Sequence, residues 1–176
     1  METTEKIVEA YVRYVKGWFT IPNIKCDGQM EIDLLAINTI DAKNLQRFHI
    51  ESGISISGSY SKLTNKPYSS EELKVRVKQA GQRRTLGYFT ERKFGDPNVI
   101  KKLKEYGFRP GNYKKVIVTW GSKDDVNEAA RLARVELWDF QEMLREIAHS
   151  VRAHRVYFTD DTMRTLQLMI KAMARE

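Results

Sequence analysis

One cysteine and three histidines stand in the 176 residues. With Cys26 alone, no internal disulfide can form, so a reducing interior is the natural setting. Cys26 as a thiol nucleophile is a minor reading, because it lies in an expected hairpin strand with few histidines to partner it. The sequence has no apolar run long enough to cross a membrane, and no signal-peptide pattern opens it. It has no internal repeat and no low-complexity tract. These absences lead to an expectation of no membrane partner and a cytoplasmic or nucleoid-associated location.

The composition is 41% hydrophobic and 30% charged, which suits a soluble globular chain rather than a disordered one. Its length allows one domain with a substantial core and a short appendage. The net charge of +7 is unevenly spread: residues 60–115 hold 15 Lys/Arg against 5 Asp/Glu, and the remainder holds 15 against 18. A concentrated positive field attracts polyanions, so nucleic acid is a candidate partner. A solvated lysine-rich helical surface accounts for the same charge equally well.

Hydrophobic spacing divides the chain into elements. Ile7, Tyr11, Tyr14, Val15 and Trp18 predict a helix over 4–19, started by Thr3 or Thr4 and broken by Pro22-Asn23. Asp27-Gly28 predicts a tight hairpin between an arm at 23–26 and a second at 30–38. The second arm has the apolar run of a strand buried on both faces, with Asp33 as the exception inside it. A third strand is expected over 47–57. Phe48, Ile50, Ile54 and Ile56 alternate there with His49, Glu51, Gly53 and Ser55.

A long loop is expected over 57–70. Ser69 with Glu72 reads as a capping box for a helix to about Arg84. Asp96-Pro97 starts another helix, which Gly107 ends. A buried strand follows at 113–120, a short helix opened by Ser122 and Asp125, and a short strand at 135–138. Asp139 caps a helix to about Val151, and Asp160 or Asp161 begins a last one bearing Leu166, Met169, Ile170 and Met173. The order describes a mixed α/β fold with a small central sheet.

Carboxylates inside strands are costly to desolvate. If the strands of Asp33 and Glu51 are neighbours, both acids can reach one point. Oxygen ligands of this kind suit Mg²⁺ or Mn²⁺. Such an ion acidifies bound water and offsets charge on a phosphate under attack. The plainer alternative is that each acid pairs with a nearby Lys or Arg.

Two stretches, Glu31-Ile32-Asp33-Leu34-Leu35-Ala36-Ile37 and Phe48-His49-Ile50-Glu51-Ser52-Gly53, resemble motifs of the PD-(D/E)XK, or restriction-endonuclease-like, nucleases. So does the order of helix, hairpin, strand, helix, strand and helix. The resemblance spans roughly residues 4–140. It implies a restriction-endonuclease-like α/β domain over 1–151, with a central mixed sheet of four or five strands flanked by helices. Residues 152–176 would be a C-terminal helical extension packed on the domain or on a partner.

By the resemblance, Asp33 and Glu51 would be metal ligands and catalytic acids for Mg²⁺ or Mn²⁺. Glu5 or Glu9, spaced i, i+4, would supply an auxiliary acid, with Glu9 carried into the candidate site. The family's lysine belongs two residues after the glutamate, where this chain has Gly53. Either the lysine has migrated to the following helix, with Lys74 and Lys78 as candidates and Lys78 preferred, or the domain binds without cutting. Gln79 and Gln82 would add hydrogen bonds. His49 shares the face of Glu51 as a candidate base or ligand. Lys62, Lys66, Arg76, Arg83 and Arg84, with Tyr60 and Tyr68 interleaved, suit a phosphate backbone.

Three functions follow. The first is a Mg²⁺-dependent endonuclease acting on DNA phosphodiesters. The second is a catalytically inactive nucleic-acid-binding module of the same fold. The third is an assembly domain whose C-terminal helices form a homodimer. Trp120 and Trp138 read as core residues, and the Met-bearing tail (Met143, Met163, Met169, Met173) as packing or a dimer face rather than a cofactor box.

Overall fold

A computed structural model describes residues 2–54, 62–153 and 158–173. Its centre is a five-stranded mixed sheet in the order β1-β2-β3-β4-β5. The strands are β1 (Phe19–Lys25), β2 (Glu31–Asn38), β3 (Gln46–Ser52), β4 (Tyr113–Thr119) and β5 (Val135–Asp139). The first three pair antiparallel, whereas β4 pairs parallel with both β3 and β5. The helices are α1 (Thr3–Ala10), α2 (Ser70–Lys74), α3 (Arg76–Gln82), α4 (Pro97–Glu105), α5 (Asp124–Leu132), α6 (Phe140–Ala153) and α7 (Asp161–Met173). Two π-helical segments, Tyr11–Val15 and Tyr88–Lys93, complete the helical content that concerns the site. No helix among the described residues is long and apolar enough to cross a membrane.

Strand alternation sends side chains to two helical layers. Leu34, Ala36, Phe48, Ile50, Val116 and Val118 pack with Val8, Phe140, Met143, Ile147 and Met163 from α1, α6 and α7, and with Val12 of the π-helical segment that follows α1. Ile117 packs on the other face with Leu86, Phe89, Phe94 and Val126, and Leu35 with Val99, Leu103 and Phe108. Burial of these large apolar side chains is the main stabilising term, roughly 1.5–3 kcal/mol for each fully buried one. The described residues of the expected C-terminal extension pack on this core, since Phe158 and Met163 are buried within it. Of the residues expected on one side of the last helix, Leu166 and Ile170 pack against the core, whereas Met169 and Met173 are exposed.

Several boundaries differ from the sequence expectation. The first helix loosens into a π turn at Tyr11, where the N–H of Lys16 donates to the Tyr11 carbonyl. Its cap is Glu2, whose N–H donates to Glu5 Oε2 at 2.8 Å, rather than Thr3 or Thr4. Strand β1 begins at Phe19 and runs through Pro22, which is tolerated because β1 is an edge strand. The hairpin turn is a 3₁₀ turn at Asp27–Gln29 with Gly28 at φ +68°, closed by Cys26 N–H donating to the Met30 carbonyl. The Ser69 cap and the Asp96-Pro97 start occur as expected, but Val75 in extended conformation divides the first of these helices into α2 and α3.

Strand β3 ends at Ser52, and the remainder of the expected strand from residue 55, together with Tyr60, lies outside the described residues. The described part of the expected 57–70 loop is tied down. Leu63 is buried and bridges Ser122, and Thr64 bridges Thr85.

Candidate functional site

Strand register brings Asp33 and Glu51 together. Leu34 pairs with Ile50, and one step further the strands begin to part with Asp33 facing Glu51. There the N–H of Asp33 donates to Glu51 Oε1 at 3.4 Å, and the N–H of Ser52 donates to Asp33 Oδ2 at 2.8 Å. Asp33 is 7% exposed and Glu51 fully buried. Two carboxylates at this depth repel one another and require a cation.

That cation is Lys93, at the end of the π-helical segment. Its ammonium donates to Asp33 Oδ1 at 3.0 Å and forms an ion pair with Glu51 Oε2. It also donates to the Glu31 carbonyl at 3.3 Å. The segment is anchored by Phe89, buried against Phe94 and Ile117 in the same cluster, and by Phe94 N–H donating to the Phe89 carbonyl. Sequence reasoning missed Lys93. The readable signal was its place four residues after Phe89 and next to Phe94, both large apolar residues.

The site's titrations follow from burial. Burial first, and then the neighbouring Glu51, push the Asp33 carboxyl up to about 7, against the opposing pull of Lys93. Burial also raises Glu51, while Lys93 opposes it. Burial alone would lower Lys93, but the two carboxylates outweigh it and hold the ammonium above its ordinary range. Burial and the charge of Lys93 press His49 down to about 3, so its imidazole is neutral. His49 Nε2 lies 2.6 Å from Glu51 Oε1.

Glu5, Glu31 and Asp33 each present a carboxylate oxygen, and all three oxygens lie within 4.8 Å of one another. This all-oxygen group could hold a metal ion, and its chemistry fits a hard divalent cation. Burial, and then the neighbouring Asp33, raise the Glu5 carboxyl. Glu31 is already lowered by Lys25, which pairs with it.

The other expected residues are placed as follows. Glu9 accepts a hydrogen bond from Thr20 at 3.3 Å and lines a separate cavity of about 270 Å³ with Lys6, Arg13 and Asp160. It is Glu5 that reaches Asp33. Lys78 pairs with Glu72 at 2.7 Å on the exposed side of α3, and Lys74 is exposed at the end of α2. Neither lines the cleft over Asp33. Gln82 is buried, donating to Glu72 and accepting from the Ser69 N–H, while Gln79 lines the cleft. Trp120 and Trp138 pack against the first core cluster. Burial raises the Cys26 thiol, so it is not activated as a nucleophile.

The cleft has a volume of about 930 Å³. Its lining includes Glu5, Glu31, Asp33 and Lys93 together with Arg76, Gln79, Arg83 and Arg84. Lys62 and Lys66, expected beside these arginines, are exposed and lie outside the cleft lining. No protein-family model, curated protein or solved structure matches the chain.

Proposed function

We propose that this chain is a metal-dependent nuclease of restriction-endonuclease-like fold that hydrolyses DNA phosphodiesters at Asp33, Glu51 and Lys93. One observation carries the reading. An amine from the helical segment after β3 reaches the two strand carboxylates from which Gly53 withholds a lysine. The sheet order, with an antiparallel hairpin followed by parallel strands, supports the same fold.

A cleft lined by both acids and arginines suits a phosphodiester, whose charge needs both a cation site and guanidinium donors. Glu5, Glu31 and Asp33 would hold Mg²⁺ or Mn²⁺, with Glu51 adjoining. When bound, the ion supplies a more acidic water and positive charge beside the phosphoryl oxygens. Lys93 stays protonated and offers charge to the oxygens that become more negative during attack. Glu51 orients that ammonium, and Arg76 and Arg83 hold the flanking phosphates.

The test is cleavage of plasmid and oligonucleotide DNA with Mg²⁺ or Mn²⁺ by wild type, Asp33→Ala and Lys93→Met. Loss of cleavage in both variants is expected, and cleavage that survives both removes this site as its seat.

A second reading has its own support. Lys93 already pairs with both carboxylates, which is also how an inactive site would be neutralised. A binding module without catalysis then predicts salt-dependent DNA binding that Mn²⁺ does not alter. Calorimetric Mn²⁺ binding that depends on Asp33 and Glu5 decides for the nuclease.

A further inference from the structure

His49 does not line the cleft, yet it touches the site from behind. It shares a face of β3 with Glu51 and is fully buried. Its Nε2 lies 2.6 Å from Glu51 Oε1. The same oxygen accepts from the backbone N–H of Asp33 and the other oxygen pairs with the Lys93 ammonium, an arrangement that suits an ionised Glu51 and the tautomer in which His49 Nε2 donates. The imidazole is held by the Phe94 ring, edge-on at 4.8 Å between centroids, and lies 6.3 Å from the Tyr113 ring. Its Nδ1 has no hydrogen-bond partner among the described residues, so the Glu51 contact is the polar interaction that fixes the ring.

We propose that His49 is a positioning residue: its Nε2–H clamps one oxygen of Glu51 so that the other is aimed at the Lys93 ammonium. The role given to Lys93 rests on the nuclease reading above, whereas the clamp rests on geometry alone. A carboxylate on a two-bond stem rotates unless both oxygens are held. Here Oε1 is held by His49 and the Asp33 N–H, and Oε2 by Lys93. Losing the imidazole donor leaves Oε1 with the long 3.4 Å contact from the Asp33 N–H, too weak to stop Glu51 from turning and leaving Lys93 with Asp33 as its remaining side-chain partner. No proton passes through His49 in this role. An uncharged donor at the same distance therefore suffices, and the amide nitrogen of glutamine reaches to about where Nε2 sits.

The experiment compares His49→Gln and His49→Leu in the full chain, with two readouts. The first is the lysine ammonium ¹H–¹⁵N signal that disappears in Lys93→Met, which a paired and shielded ammonium retains near neutral pH. The second is the kcat and KM for Mn²⁺-dependent DNA cleavage. Expected are loss of the signal and a fall in kcat on the order of tenfold, with KM within twofold, for His49→Leu. His49→Gln should keep the signal and stay within threefold of wild type. Unchanged signals in both variants would overturn the clamp, as would loss in both, since the role would then need the imidazole itself. Should His49→Leu not fold, His49→Gln decides alone: a retained signal supports the clamp and a lost one overturns it. Should wild type not cleave DNA while the signal behaves as expected, the nuclease reading fails and the clamp stands.

Discussion

The ring of Phe89 stands where a side chain on residue 53 would begin: a Cβ at Gly53 would lie 3.0 Å from Phe89 Cζ and 3.3 Å from the Val118 carbonyl oxygen. Phe89 also anchors the segment that ends at Lys93. The element that closes the strand position to a side chain is thus the one that delivers an amine to the carboxylates. Gly53→Ala should cost about 1–3 kcal/mol through overpacking. Phe89→Leu in the same chain should recover part of that cost, since the ring tip is the near atom. Urea denaturation of the two single variants and the double variant measures the coupling. Strict additivity would mean that the ring is not what constrains residue 53.

Lys93 neutralises two buried acids at once. Lys93→Met leaves Asp33 and Glu51 facing each other without a cation, a loss of about 3–5 kcal/mol at neutral pH. At pH 5 the loss should be smaller, because a proton shared between the raised carboxyls takes over part of the cation's role. Chemical denaturation at pH 7.5 and pH 5 checks both the size and its pH dependence. An equal loss at both pH values would mean that the carboxylates do not respond to the missing charge.

Asp33 gives a pH dependence of definite sign. Its folded-state pKa is raised to about 7 from an ordinary 3.8, so between these values the folded chain holds a proton that the unfolded chain releases. Its contribution is therefore full at low pH and is lost as pH rises through about 7. His49 acts oppositely: pressed down to about 3 from 6.5, it favours the folded state more as pH rises through that interval. The wild-type profile sums both, so the informative quantity is the difference from Asp33→Asn. Wild-type stability minus that of the variant should fall by about 4 kcal/mol between pH 4 and pH 8. A metal would compete for the same carboxylate. Mn²⁺ should therefore raise the wild-type Tm more at pH 7.5 than at pH 5.5, and have little effect in Asp33→Asn.

Strand identity and the acids on the strands were readable because strand patterning is local. The apolar run around Asp33 and the alternation around Glu51 express period-two exposure, and their register follows from one short hairpin and one short loop. Lys93 was not readable by the same means. Its segment follows i→i+5 spacing, so Phe89 and Phe94 share a face that a 3.6-residue template splits. Lys78 looked better because it lay in a helix with clear caps, yet that helix turns it toward Glu72. Glu5 and Glu9 could not be separated by spacing, because which end of α1 meets the strands is a tertiary matter. Pro22 misplaced the start of β1, since its cost depends on whether the strand is an edge.

The arginines that line the cleft allow charge in the cleft to be separated from charge elsewhere. Arg76 and Arg83 are exposed and line the same cavity as the acids. Lys78 is also exposed but is paired with Glu72 and lies outside the cavity lining. Each arginine that contacts one phosphate of a duplex releases about 0.9 of a counterion. Arg83→Ala should therefore lower the slope of log K against log salt by about 0.9, and Arg76→Ala by a similar amount. Lys78→Met removes the same formal charge and should leave the slope unchanged. Fluorescence anisotropy on a duplex in Ca²⁺, across a salt series, measures all three. If Lys78→Met shifted the slope as much as Arg83→Ala, DNA would be held by diffuse surface charge, and the cleft would lose its claim to the scissile phosphate.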